Sequence, residues 1–431
     1  MRNFAVCCIL LALAVLAPVS GEGGRFDVAW GLGLLMLLAY AAQQIAAGLR
    51  LPPLLGWIVA GLVLGQSGLQ AVRPTDVDSL HLVLLFTAVW VGFQVGLGLD
   101  SPAIRRPGRL AALVVLSTMA VFLVTSVGVS ALGKQPWHLA LAIGAITCLW
   151  GPCIVSFLTE DNEIRFISVI GAGIALVLLT GTELMLHRGG PSFEVAVRTA
   201  ASPWISLAAG LAVAEILWRL GIFSRRSTAV AGSVGSFLLM AAILGELGLY
   251  GLPFGFACGA LLSWHEGSGD TLRHLLEPAR SMAAMVFFAL LGASLDVSAA
   301  LAPPHHSLYL IVLIQVVVLI LMRGVGPAVW YPLSAADSSS FARHTSWLLL
   351  PGGAVLFELV YLPRTGALPL LAVFSERLLY QLVVFDLLLF GLVFPAIAAG
   401  LVKFFRSRAP DAETPVPDTP GAPVATAKSS R

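Results

Sequence analysis

The sequence predicts an all-α polytopic membrane protein with about thirteen transmembrane helices, and three observations carry that prediction. Of 431 residues, 58% are hydrophobic and only 11% charged, where a soluble domain carries about 25% charged residues. Apolar runs of about 20 residues recur along nearly the whole chain, and each is long enough to cross a hydrocarbon layer roughly 30 Å thick as a helix. The runs are interrupted by Gly and Pro and lack the regular alternation of barrel strands, so the spans are helical. The lipid bilayer is therefore an obligatory partner. The net charge of +2 says nothing about nucleic acid, and no basic cluster dense enough to bind it appears, so no nucleic-acid partner is expected.

The first element, residues 1–24, combines Arg2, an apolar stretch and a small-residue run through Pro18-Val19-Ser20-Gly21. That is the pattern of a secretory signal peptide, with a retained first helix as the alternative. Thirteen spans follow near 28–49, 53–66, 82–98, 110–132, 138–158, 166–186, 200–218, 228–246, 251–264, 282–297, 307–330, 345–362 and 379–402. They place a transmembrane domain over 25–405. Residues 406–431 are rich in Pro, Ala and Thr, cannot build a core, and are expected to form a disordered cytoplasmic tail.

Loop charge sets the orientation. With the amino terminus outside, the segments assigned to the cytoplasm hold fourteen Lys/Arg, among them Arg105, Arg106 and Arg109, against seven in the outer segments. By the positive-inside rule the carboxyl terminus is cytoplasmic and the protein sits in the cytoplasmic, or inner, membrane. The five cysteines show neither metal nor disulfide spacing and read as small apolar packing residues.

Three blocks carry a family resemblance. LPPLLGWIVAGLVLGQSGL from Leu51 has a Pro entrance and spaced glycines. LLFTAVWVGFQVGLGLDSPAIRR, Leu84 to Arg106, closes a Gly-rich helix with an acid and a basic loop. LGLYGLPFGFACGALLSW is followed by MVFFALLGASLDV, Met285 to Val297. In order and spacing, from about residue 30 to 405, the chain resembles the cation/proton antiporter superfamily, of the monovalent cation:proton antiporter-2, sodium/hydrogen exchanger type. The resemblance implies two inverted repeats and two crossed discontinuous helices near the bilayer midplane. It also implies a core domain moving against a dimerising one, in a homodimer that exchanges a monovalent cation for protons. ITCLWGPCIVSF, Ile146 to Phe157, is then the first crossing helix, broken at Pro152, which lacks an amide hydrogen.

The same resemblance exposes a departure. Members carry Thr-Asp-Pro or Thr-Ser-Pro at the crossing, where this chain has Trp150-Gly151-Pro152; in the next span they carry an Asp pair or Asn-Asp, where Leu176 and Val177 stand. Leu and Val neither ligate a hard cation nor titrate. The carboxylate has moved, the substrate has changed, or transport has been lost.

Several residues are candidates for the remaining chemistry. Arg323, before Gly324, matches a basic residue that members pair with the core carboxylate. An Arg at a helix centre costs at least ~2.5–3.5 kcal/mol unless paired, watered or snorkelling. Glu358, in a mid-span apolar run, is a candidate relocated acid or a structural acceptor. Glu183 is the second, or else an interfacial residue. Gln315, Thr147 and Thr180 offer neutral oxygens or simple helix-backbone bonds. Glu215, Glu246 and Asp386 lie within or near spans. His305-His306 lacks a third metal ligand, and His265 with Glu266 and Asp270 reads as a solvated loop. With no nucleotide signature, nucleophile set, metal site or cofactor motif, enzyme activity is not expected. The expected function is Na⁺ or K⁺:proton antiport. The alternatives are a transport-inactive or repurposed membrane sensor or partner subunit, and an anion path past Arg323.

Overall fold

In the computed structural model the described residues are 25–49, 51–70, 72, 80–99, 108–148, 162–186, 193–222, 226–265, 268–295, 297 and 306–325, with isolated positions between 381 and 397. Among them all regular structure is helical. The helices are α1 (Arg25–Gly48), α2 (Pro53–Leu64), α3 (His81–Leu97), α4 (Gly108–Ala131), α5 (Trp137–Thr147), α6 (Asn162–Leu186), α7 (Phe193–Arg219), α8 (Arg226–Leu247), α9 (Gly251–Trp264), α10 (Ser268–Ser294) and α11 (His306–Leu319), the last running into a π-helical turn at Ile320–Val325. Each of the first eleven expected spans has its helix. The spans expected at 345–362 and 379–402, the leader 1–24 and the tail 406–431 lie outside the described residues or reach them only at isolated positions.

Among the described residues, five helices are long and apolar enough to cross a membrane alone, within α1, α4, α6, α7 and α8. The shorter helices α2, α3, α5 and α9 are mostly buried against neighbours. The helix α2, 12 residues long, rises only about 18 Å, and most of its residues are buried against neighbours.

The helices form two groups. One consists of α1, α2, α3, α7, α8, α9 and α10; the other of α4, α5, α6 and α11. The main helix–helix contact between the groups is α6 against α7. A continuous apolar core nonetheless runs through both, including Leu54, Trp57, Ile143, Ile146 and Ile311.

Glycine allows the tightest pairings in the first group. A side chain at Gly61 or Gly65 of α2 would strike the backbone of Ala289 or Ala293 on α10, and one at Gly292 would strike the carbonyl of Ile58. Between α3 and α9 the same holds in both directions, Gly92 and Gly96 against Leu252 and Phe256, Gly255 and Gly259 against Val89 and Phe93. These approaches let whole helix faces touch. In both pairs the contacting residue numbers rise together, so α2 runs parallel to α10 and α3 parallel to α9.

The two pairs are tied off by reciprocal serines. Beyond α2, Ser67 Oγ donates to the Leu295 carbonyl at 2.6 Å and accepts the Val297 N–H at 2.8 Å. At the end of α9, Ser263 Oγ donates to the Leu99 carbonyl at 3.1 Å. The sequences at these ends match, Gly96-Leu97-Gly98-Leu99 and Gly292-Ala293-Ser294-Leu295, and each closes with the same turn. Leu99 N–H donates to Gly96 O at 3.1 Å and Leu295 N–H to Gly292 O at 3.2 Å. Ser67 and Ser263 are as far apart in sequence as Leu99 and Leu295. The exchange of partners between equivalent positions is what an internal pseudo-twofold relation produces, and it fits the inverted repeat the resemblance implies.

Two elements differ from expectation in extent. Helix α10 begins at Ser268, well before residue 282, and absorbs much of the expected cytoplasmic loop. The polar stretch hid it: Leu272 and Leu276, one turn apart, are 2% and 0% exposed and pack with Ala279 and Ala283. In α7, Pro203 removes the bond to the Thr199 carbonyl, and Ser202 Oγ replaces it at 2.8 Å. Ser206 then accepts the Tyr250 N–H at 3.0 Å, fixing the start of α9.

Candidate functional site

The second helix group carries the residues that the sequence singles out. Every position of α5 from Ala142 to Thr147 is buried, which an all-round apolar sequence requires. Cys148 follows with helical backbone angles, its N–H donating to Gly144 O and Ala145 O, both at 3.2 Å. Trp150, Gly151 and Pro152 lie outside the described residues, as does Glu358.

Helix α6 presents two different faces at the vacated acid positions. Leu176 is buried at 9% exposure, whereas Val177 is 53% exposed. A side chain at Gly173 or Gly181, one turn before and after Val177, would meet nothing within 4 Å. Val177 thus stands on an open small-residue face and Leu176 on the packed one. Seven residues past Leu176, two turns and about 10 Å along the same face, Glu183 is 3% exposed.

Across the group, Gln315 of α11 is fully buried and donates through Nε2 to Thr147 Oγ1 at 2.8 Å. Thr147 can accept because its own hydrogen goes to Ile143 O at 2.7 Å. Two of the three neutral groups named from sequence are therefore joined at the end of α5. The third, Thr180, is bonded to the Val177 carbonyl at 3.1 Å. Arg323 lies on the π-helical turn, two turns beyond Gln315 along α11; π-turns interrupt the regular backbone pairing and gather at functional positions.

Away from this group, Arg219 Nε donates to Glu215 Oε1 at 2.7 Å. His265 Nε2 lies 3.5 Å from Glu215 Oε2, and its ring stacks on Trp218 at 4.6 Å. His265 is thus tied to the end of α7 and not free in a loop. Glu246 is exposed near the end of α8. Asp386 and His305 fall outside the described residues. Among the described residues no three His, Cys, Asp or Glu side chains come together as metal ligands.

Sequence reasoning passed over three residues of this group. Thr118, Thr125 and Ser126 of α4 are 0%, 0% and 1% exposed. Their signal was the seven-residue spacing of Thr118 and Thr125, which puts two hydroxyls on one face of an otherwise apolar helix.

The sodium/hydrogen exchanger transmembrane family model matches residues 33–403. The chain belongs to the sodium/hydrogen exchanger family. Within this family it is 25% identical, over 222 residues, to the Na(+)/H(+) antiporter NhaS5 of Synechocystis sp. (strain ATCC 27184 / PCC 6803 / Kazusa). That stretch covers 50% of this chain but 31% of the relative, so the match spans about a third of the relative's length. The fold is shared with the sodium proton antiporter MjNhaP1 from Methanocaldococcus jannaschii, solved at pH 8, with a TM-score of 0.63 at 16% identity, over 89% of this exchanger-family chain and 98% of that one. As a family member the protein is a multi-pass membrane protein.

Proposed function

We propose that the protein is a secondary active transporter exchanging a monovalent cation, Na⁺ or K⁺, for protons across the cytoplasmic membrane, as a homodimer with its amino terminus outside. The supporting observation is Glu183. It is a buried carboxylate of α6, 3% exposed, two turns past Leu176, which stands where the resemblance places an acid. A buried carboxylate in a membrane bundle is a functional group by default, since its desolvation must be offset by a partner or a bound ion. Glu358 and Arg323 complete the reading, as a second acid and the basic counter-charge. The division into two helix groups suits movement of the second group against the first.

A specific observation favours the competing reading of a transport-inactive descendant. Leu176 is packed, and no carboxylate occupies its position. The two readings separate in proteoliposomes carrying an imposed pH gradient. Addition of Na⁺, K⁺ or Li⁺ is expected to dissipate the gradient, and Glu183→Gln to slow that dissipation about 100-fold, the loss typical of removing a general acid–base group. Folded, oriented protein that responds to none of the three ions establishes the inactive descendant.

A further inference from the structure

Arg165, on the first turn of α6, is 4% exposed, and it is not among the groups invoked for exchange. A snorkelling Arg near a helix end carries its charge out to water; this one does not. A charge taken out of water needs a negative group against it, and the guanidinium has reached one. Arg165 Nη1 lies 3.5 Å from where a side chain on Gly98 would begin, and Gly98 is the cap at the carboxyl-terminal end of α3. The last carbonyls of a helix lack partners within it and together carry about half a negative charge, so a cation is stabilised there. Gly98 has ordinary right-handed helical angles, which any residue adopts. What its missing side chain provides is room for the guanidinium over the end of the helix.

The two sides of this contact belong to different helix groups. The end of α3 is fixed in the first group: Gly92 and Gly96 seat the helix on α9, and Ser263 of α9 donates to the Leu99 carbonyl. Arg165 is fixed in the second group, as part of α6, where its own carbonyl accepts from Ser168 Oγ at 2.7 Å. The groups meet mainly through α6 and α7, so Arg165 is an arm reaching from one body to a different helix of the other. Displacement of the second group against the first draws the guanidinium off the end of α3.

We propose that Arg165 is a strap between the two helix groups and a positioning residue for exchange: its guanidinium clasps the end of α3 in the arrangement described and releases it when the second group moves. The strap rests on the group movement in the antiport reading above and not on which ion is carried.

Distances between the groups test it. Full-length protein in nanodiscs, freed of its five native cysteines, carries spin labels at Leu132→Cys after α4 and Leu247→Cys at the end of α8, both 64% exposed and on different groups. Double electron–electron resonance reads the ratio of the alternative arrangement to the described one. Arg165→Gln is expected to raise that ratio about tenfold, a usual size for coupling between two states, and Arg165→Lys, which keeps the charge, to raise it less. Gly98→Val puts a branched side chain where the guanidinium lies and should raise the ratio as Arg165→Gln does. Both together should add nothing further, because they undo one contact. A packing role alone would lower the unfolding midpoint and leave the ratio unchanged. The strap is overturned if Arg165→Gln and Gly98→Val leave the ratio at its parent value, or if their effects add in full. Should Arg165→Gln fail to fold, Gly98→Val decides alone, and an unchanged ratio overturns the strap. The labelled parent is also assayed for dissipation of a pH gradient. A ratio that responds to the variants, in protein that dissipates no gradient with Na⁺, K⁺ or Li⁺, sinks the antiport reading alone; dissipation with an unresponsive ratio sinks the strap alone.

Discussion

Thr147 and Gln315 show how a single buried pair can be tested. Thr147→Val removes the acceptor of the Gln315 amide and leaves a donor unmet, at an expected cost of about 1–3 kcal/mol. Gln315→Leu added to Thr147→Val should recover part of that loss, because replacing both partners restores an apolar junction. A double-mutant cycle on unfolding in detergent measures the coupling; strictly additive costs would show that the bond of 2.8 Å does not matter. At this scale the sequence was legible only in part. Glu183 stood out as an acid in an apolar run, but its burial depends on which side of α6 meets the bundle. Thr118 and Thr125 were invisible because a hydroxyl in a membrane helix usually bonds its own backbone, and whether it does so is a matter of tertiary packing.

Elements were more legible than side chains. Apolar runs locate α1 to α4, α6, α8 and α9 to within a few residues, because the bilayer imposes the length and the backbone must pair internally. By contrast, α7 begins seven residues before its apolar run, and α10 begins in a polar stretch whose helical face shows only as the buried pair Leu272 and Leu276. Glycine spacing in α2, α3, α9 and α10 was visible; the partner of each face was not. Gly259→Val on α9 would drive a side chain into the Phe93 carbonyl and is expected to destabilise by about 1–3 kcal/mol, read as a lowered unfolding midpoint. Ser67→Ala and Ser263→Ala should each cost about 1 kcal/mol. Because they tie off different helix pairs, the costs should add within about 0.5 kcal/mol. Marked non-additivity would mean the two ties act as one.

For the whole molecule, the fold followed from the family resemblance carried by the order and spacing of the blocks that begin at Leu51, Leu84 and Met285. The chemistry did not follow in the same way. Leu176 and Val177 stand where the resemblance places acids, so the proposed exchange rests on Glu183 and on groups that scaffold motifs do not specify. Coupled flux is the direct test of that claim. Proteoliposomes with an acidic lumen should accumulate ²²Na⁺ or ⁸⁶Rb⁺ against its gradient, lose the uptake when a protonophore collapses the pH difference, and show little uptake with Glu183→Gln. Uptake equal to that of protein-free vesicles, from protein shown to be folded and inserted, would contradict cation:proton exchange.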